Sequence, residues 1–197
     1  TAITYNSFGQ QSGYTEDVTR DGQADTHTVR SVITYTNHGF IKTYNDVITD
    51  NSTDVTRTID FTADFPNGYD SFGRLKHYRE QKNEQAPGLD VDTTTERTNI
   101  TYRSTGQMKD YNEVVTREGN SPVTTLRRSI VYDSDGLIDT YTDTITSTAT
   151  PTLTTTVLFN ATTYDQYGRL TAYVENKLEL GAVLNVNTTT TRTAITY

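Results

Sequence analysis

Along much of the chain, apolar and polar positions alternate with a period of two. Around Tyr102, Thr98, Ile100 and Tyr102 fall on one face of an extended chain, and Arg97, Asn99 and Thr101 on the other. From Thr140 to Thr156 every even position is threonine. No apolar stripe recurs at intervals of three and four, so the pattern predicts strands and no helices. The alternating stretches are rich in Thr, Val, Ile and Tyr, whose branched and aromatic side chains suit a pleated surface.

One beat runs through these strands: Tyr, three residues, Gly, four residues, Tyr. It occurs at Tyr5, Gly9 and Tyr14; at Tyr35, Gly39 and Tyr44; and at Tyr69, Gly73 and Tyr78. It continues at Tyr102, Gly106 and Tyr111; at Tyr132, Gly136 and Tyr141; and at Tyr164, Gly168 and Tyr173, with a seventh copy opening at Tyr197. The first tyrosines are 30, 34, 33, 30, 32 and 33 residues apart, which sets repeats at 5–34, 35–68, 69–101, 102–131, 132–163 and 164–196. The third and sixth copies align without a gap, giving super-repeats 5–101 and 102–196. TAITY stands at residues 1–5 and again at 193–197, which predicts a segment cut from, or polymerising into, something longer in the same register.

Each glycine sits where a short hairpin loop needs a positive φ, and Asp70, Asp133 and Asp165 are placed to accept N–H bonds at the loop start. A second, variable turn falls at Asp21-Gly22, Asn51-Ser52, Pro87-Gly88, Gly119-Asn120, Ala149-Thr150 and Gly181. One fixed and one variable turn per repeat predict an all-β fold of antiparallel hairpins. About 12 strands, two per repeat of roughly 32 residues, would form a continuous coiled or closed sheet. The alternative is two tandem β-sandwich or barrel domains of about 96 residues, joined near residues 98–101.

Composition sharpens this picture. Leu, Ile, Val and Phe total 40 of 197 residues, fewer than the 42 threonines, so a thick aliphatic core is not expected. The 14 tyrosines are expected to replace part of it as a cross-strand ladder near the fixed loops. Acids outnumber bases 25 to 17, which excludes a basic nucleic-acid surface. No apolar run approaches the ~20 residues of a membrane helix. The opening TAITYNSFGQ has neither the basic head nor the apolar core of a signal peptide. With no cysteine there is no disulfide, thiolate site or Cys nucleophile.

YDSFGRL at 69–75 and YDQYGRL at 164–170 resemble the tyrosine-aspartate (YD, or RHS) repeat, whose core is Tyr-Asp-x-x-Gly-Arg-Leu. YDSDGLI at 132–138 matches in part, and the other copies keep Tyr and Gly. The period here is longer than the family's. The resemblance implies an extracellular or cell-surface scaffold of stacked β-hairpins, and it brings no catalytic residue.

Candidate chemistry is sparse. His27, His38 and His77 lie at unequal positions of different repeats and read as surface residues. Asp133-Ser-Asp135-Gly136 has the look of a calcium-loop fragment without its closing Glu, and reads as an Asx-type turn. Asp90 and Asp92 read as an exposed acidic face. Sequons at Asn51, Asn99, Asn160 and Asn187 are candidate glycosylation sites. No catalytic, cofactor or metal residue is assigned, and no enzyme activity is expected. The expected function is a structural module of an extracellular repetitive protein or fibril, with further copies of itself as partner. The alternative is a cell-surface adhesin segment that binds carbohydrate or a protein through its variable loops.

Overall fold

The computed structural model describes residues 2–19, 25–50, 52–63 and 67–196. Among them there is no helix, and 13 antiparallel strands follow one another in chain order. The chain divides into two compact units, Thr1–Glu96 with Val115–Asn120, and Arg97–Val114 with Ser121–Tyr197. The first contains β1 (Ala2–Tyr5), β2 (Gln11–Val18), β3 (Thr26–Tyr35), β4 (Ile41–Asp50), β5 (Val55–Ala63), β6 (Tyr78–Ala86) and the start of β7 (Leu89–Tyr102). The second contains the rest of β7, most of β8 (Met108–Arg117), β9 (Val123–Tyr132), β10 (Ile138–Ser147), β11 (Thr150–Tyr164), β12 (Leu170–Leu180) and β13 (Asn185–Arg192).

The hairpin architecture is the expected one, with 13 strands in place of about 12. The additional strand is β1, a four-residue half strand equivalent in sequence to the end of β7. Within each unit the strands in contact are chain neighbours, among the described residues. Neither unit is therefore the sandwich or closed barrel of the alternative reading. The physical reason lies in the two faces of the strands. In β4, Tyr44, Asp46 and Ile48 share one face; Thr43, Asn45, Val47 and Thr49 share the other, a largely polar surface with little to bury against a second layer.

The fixed turns share one geometry. Asn6 N–H donates to the Gln10 carbonyl at 2.8 Å, and Gly9 N–H donates to the Asn6 carbonyl at 3.0 Å. The same pair of bonds recurs in all six copies, with the six glycines at φ between 75° and 89°. This is a three-residue loop, a type I turn closed by a left-handed glycine. Asp70, Asp133 and Asp165 accept the expected backbone bonds, each at 2.9 Å from the residues two and four positions on. Asn6 does the same in the first copy. Of the variable turns, Asp21-Gly22 and Asn51 lie outside the described residues, and the turn placed at Ala149-Thr150 falls one residue earlier, between Ser147 and Thr150.

Simple alternation fails just before the fixed turns. Val32, Asn99, Ser129 and Ala194, each three residues before the next repeat's first tyrosine, have φ between 53° and 56°. At Val32 the β3–β4 register jumps from Ser31↔Asn45 to Thr34↔Thr43. One extra residue exchanges the faces of everything beyond it. Arg30 and Ile33, of opposite parity in sequence, thus share a face. The same bulge at Asn99 overturns the plain alternation read around Tyr102. Ile33, Ile100 and Ile130, the residue after each bulge, are buried.

Candidate functional site

A seam of aromatic rings and ion pairs runs across one face of each unit. In the first unit the register aligns Tyr14 with Arg30, Arg30 with Asp46, and Asp46 with Ile59. In the second it aligns Arg127 with Asp143 and Asp143 with Val157. Arg30 forks onto Asp46 through Nε and Nη2 at 2.6 and 2.5 Å. Arg127 forks onto Asp143 at 2.8 and 2.7 Å. Asp46 and Asp143 are each only 6% exposed, a placement tolerable for a carboxylate when both oxygens are bonded. A third pair, Arg97 with Glu113, joins β7 to β8. In all three the acid follows the arginine by 16 residues.

The tyrosines interleave with these flat groups. The Arg30 guanidinium lies 3.8 Å from the Tyr44 ring centroid, and that of Arg127 3.7 Å from Tyr141. On their other faces Tyr44 stacks on Phe61 and Tyr141 on Phe159, each with centroids 4.7 Å apart. Phe61 continues to Tyr78 at 5.5 Å, and Phe159 to Tyr173 at 5.4 Å. Tyr111 lies between two guanidiniums, Arg97 at 4.4 Å and Arg127 at 5.6 Å.

Four of the first tyrosines have a different task. Tyr35 Oη donates to the Gln11 carbonyl at 2.7 Å, Tyr69 to Ile41 at 2.5 Å, Tyr132 to Met108 at 2.9 Å, and Tyr164 to Ile138. Each hydroxyl thus ties a repeat to the hairpin before it. The expected ladder of paired tyrosines within one hairpin is therefore corrected. The second tyrosines stack on Arg and Phe, and Tyr35, Tyr69, Tyr132 and Tyr164 are hydrogen-bonded staples. Neither Phe61, Phe159 nor the arginines were singled out from sequence, although the constant 16-residue Arg-to-acid interval was there to find.

Electrostatics match this structural role. Burial pushes the hydroxyls of Tyr44, Tyr111 and Tyr141 above the ordinary tyrosine range. The hydrogen bond to Asp46 raises Arg30. Burial acts to lower Arg127, but the bonds to Asp143 and the neighbouring tyrosines outweigh it and raise the guanidinium overall. At the turns, the backbone N–H and guanidinium of Arg169 hold the Asp165 carboxyl below its usual range. Burial acts to raise Asp70, and the N–H and guanidinium of Arg74 overcome it.

The remaining candidates fall on the surface. His27 pairs with Asp17 at 2.6 Å and His77 with Glu96 at 3.0 Å, while His38 stacks near Phe40. Asp90 and Asp92 both accept from the Asn83 amide, at 2.9 and 2.8 Å. Asp133 accepts from the N–H of Asp135 and of Leu137, an Asx turn. No group of three or more metal-ligating side chains occurs among the described residues. Asn99, Asn160 and Asn187 are exposed; Asn51 lies outside the described residues. The exposed aromatics Phe8, Phe72 and Tyr167 stand on fixed turns, at 86, 80 and 73% exposure. Compared with known protein families, curated proteins and solved structures, the chain matches none of them.

Proposed function

We propose that the chain is a structural module of an extracellular repetitive protein or fibril, extending end to end through its β-hairpin repeats. One observation carries this reading. The fork Arg30–Asp46 with its Tyr44–Phe61–Tyr78 stack recurs as Arg127–Asp143 with Tyr141–Phe159–Tyr173, down to the strand register. A block of three hairpins therefore presents the same chemistry each time it occurs, which is what serial addition of blocks needs. The seam's charged and aromatic groups are spent on one another and on the backbone. The resemblance to tyrosine-aspartate repeats supports a place outside the cell. Sedimentation and electron microscopy across a concentration series test the reading: elongated, growing particles are expected. Compact, strictly monomeric particles at the highest concentration reached would overturn it.

A second reading, an adhesin segment for carbohydrate, draws on one feature of the first unit. Phe8 and His38 border an open groove of about 750 Å3 that is also lined by Asn6, Gln10, Tyr35 and Asn37. An exposed ring beside amide groups suits a sugar face and its hydroxyls. On this reading the binding surface is formed by fixed turns, in place of the variable loops of the original expectation. A glycan array that binds the native chain and loses signal with Phe8→Ala supports it; an array with no bound sugar removes it.

A further inference from the structure

The two units fill one place differently. The super-repeat sets the fixed turn at 6–10 against that at 103–107, and Tyr35 against Tyr132, in each case 97 residues on. In the second unit Arg103 opens its turn and reaches across to the next hairpin. Its Nε and Nη2 donate to the Ile130 carbonyl at 3.2 and 2.5 Å, and its guanidinium lies 6.0 Å from the Tyr132 ring centroid. In the first unit the same position is Asn6, whose short amide turns back on its own loop. Asn6 Nδ2 donates to Gln10 Oε1 at 3.1 Å, and its Oδ1 accepts the N–H groups of Phe8 and Gln10. The groove of about 750 Å3 between these turns is lined by Ile33 and Tyr35, the equivalents of Ile130 and Tyr132. It is the space that Arg103 crosses in the second unit.

A second, independent observation comes from the ring that precedes the turn glycine. Phe72 and Tyr167 each carry the guanidinium of the arginine two residues on, Arg74 at 4.9 Å and Arg169 at 5.1 Å. Phe8 holds the same turn position but is followed by Gln10, and no guanidinium lies over it among the described residues. Its ring stands at the rim of the groove. Phe72, which has the turn at 36–40 before it, is 80% exposed against 86% for Phe8, so this exposure belongs to the turn and not to a place in the chain. The groove lining includes no Lys, Arg, Asp or Glu, while the chain as a whole carries a net charge of -8. A cation is therefore attracted to the protein and meets no like charge in the groove.

We infer that the groove between the turns at 6–10 and 36–40 takes a guanidinium, supplied by an arginine side chain of a partner protein. The flat group lies by the Tyr35 ring as Arg103 lies by Tyr132, donates to the backbone at Ile33 as Arg103 does at Ile130, and has Phe8 beside it at the rim. Arginine suits the site better than lysine, because a planar fork can rest against a ring and bond a carbonyl in its own plane at once. The groove is open to solvent, so the group can arrive on a polypeptide chain. This inference does not depend on the end-to-end reading. It gives the groove a different ligand from the sugar of the second reading, and the two are separable by experiment.

Titration of the full chain with the capped tripeptides Gly-Arg-Gly and Gly-Lys-Gly, followed by NMR of the backbone amides, tests it. The arginine peptide is expected to bind at least about tenfold more tightly than the lysine peptide, with shifts centred on residues 6–10 and 33–39. Phe8→Ala removes an exposed ring and is expected to weaken binding about threefold. Asn6→Arg installs the side chain that the second unit already carries at this position, and is expected to fill the groove and abolish binding. Circular dichroism checks that both variants fold as the parent does. A parent that binds neither peptide, or both alike, overturns the inference. So does arginine binding that survives Asn6→Arg in a folded chain, because the guanidinium then sits elsewhere. Cello-oligosaccharide binding that Asn6→Arg removes, with no preference for the arginine peptide, overturns it in favour of the sugar reading.

Discussion

Asp143→Ala is the sharpest probe of the seam. The substitution removes both carboxylate oxygens from Arg127, whose side chain is 23% exposed, and leaves the guanidinium over the Tyr141 ring with no anion beside it. Breaking a buried ion pair by deleting one partner costs about 3–5 kcal/mol. Partial access of water to Arg127 relieves some of this, and about 2–3 kcal/mol is the expected loss. For a chain of this size that corresponds to a fall in Tm of about 5–10 °C. Urea melts followed by circular dichroism give the number, with the slope checked against the parent to confirm that the native surface is unchanged. The double variant Arg127→Met with Asp143→Leu removes both charges and keeps volume, and is expected within about 1 kcal/mol of the parent. Asp46→Ala removes the equivalent carboxylate and is expected to show a loss of the same size. A loss under about 0.5 kcal/mol for Asp143→Ala, or a double variant as unstable as the single one, would refute the account of the seam as a paired, half-buried network.

Three further outcomes follow from the turns and staples. Gly9 and Gly73 share nearly the same φ, 75° and 78°, but a Cβ at Gly9 meets nothing within 4 Å while one at Gly73 lies 2.5 Å from the Phe40 ring. Gly9→Ala is therefore expected to cost about 1–2 kcal/mol in backbone strain alone, and Gly73→Ala about 1–3 kcal/mol more, read from thermal melts. Tyr35→Phe deletes the hydroxyl bonded to the Gln11 carbonyl and is expected to cost about 1 kcal/mol in the same assay. The folded Asp70 and Asp165 carboxyls lie below their ordinary range, so the unfolded chain takes up protons first as pH falls. Their stabilisation is complete above the ordinary carboxylate range and drains away as pH drops through the folded values. Asp165→Asn keeps the acceptor that Asn6 supplies in the first copy and is expected to flatten the acid limb of Tm against pH; an unchanged limb would exclude Asp165 as a contributor.

The parts legible in the sequence were those that one hairpin fixes by itself. Gly9 and its five equivalents announce a left-handed loop position because few other residues adopt it cheaply. Asp70, Asp133 and Asp165 announce their turns because the acceptor is two and four residues from its donors. The seam was not legible from alternation, because the bulge at Val32 and its equivalents exchanges the two faces in mid-strand. Arg30 and Ile33 look like residues of opposite faces and are neighbours on one. The tyrosines were found and misassigned for a related reason. Tyr35 and Tyr44 flank a single loop, but their partners lie outside that hairpin: the Gln11 carbonyl in the repeat before it and Phe61 on the strand after it, β5.

That last point accounts for the period of three hairpins as opposed to one. Tyr44, Tyr111 and Tyr141 each have two flat groups against them, and two kinds of group serve. A guanidinium brings a charge and so requires a carboxylate opposite it, supplied by the same hairpin; a phenyl ring requires none. Along the chain the hairpins run Arg30 with Asp46, then Phe61, then Arg97 with Glu113, Arg127 with Asp143, then Phe159. In the second unit two charged hairpins and one aromatic hairpin follow one another. An all-phenyl seam would expose a long apolar stripe on a one-sided sheet and invite lateral sticking. An all-arginine seam would require a desolvated ion pair in every hairpin, each repaid only when its geometry is right. Mixing the two holds the tyrosines at both faces with fewer buried charges. The repeat that matters to the fold is then the shortest sequence of hairpins that returns to the same flat partner. That sequence is about 96 residues long, set by side chains that touch across neighbouring hairpins and not by the loop that the glycine closes.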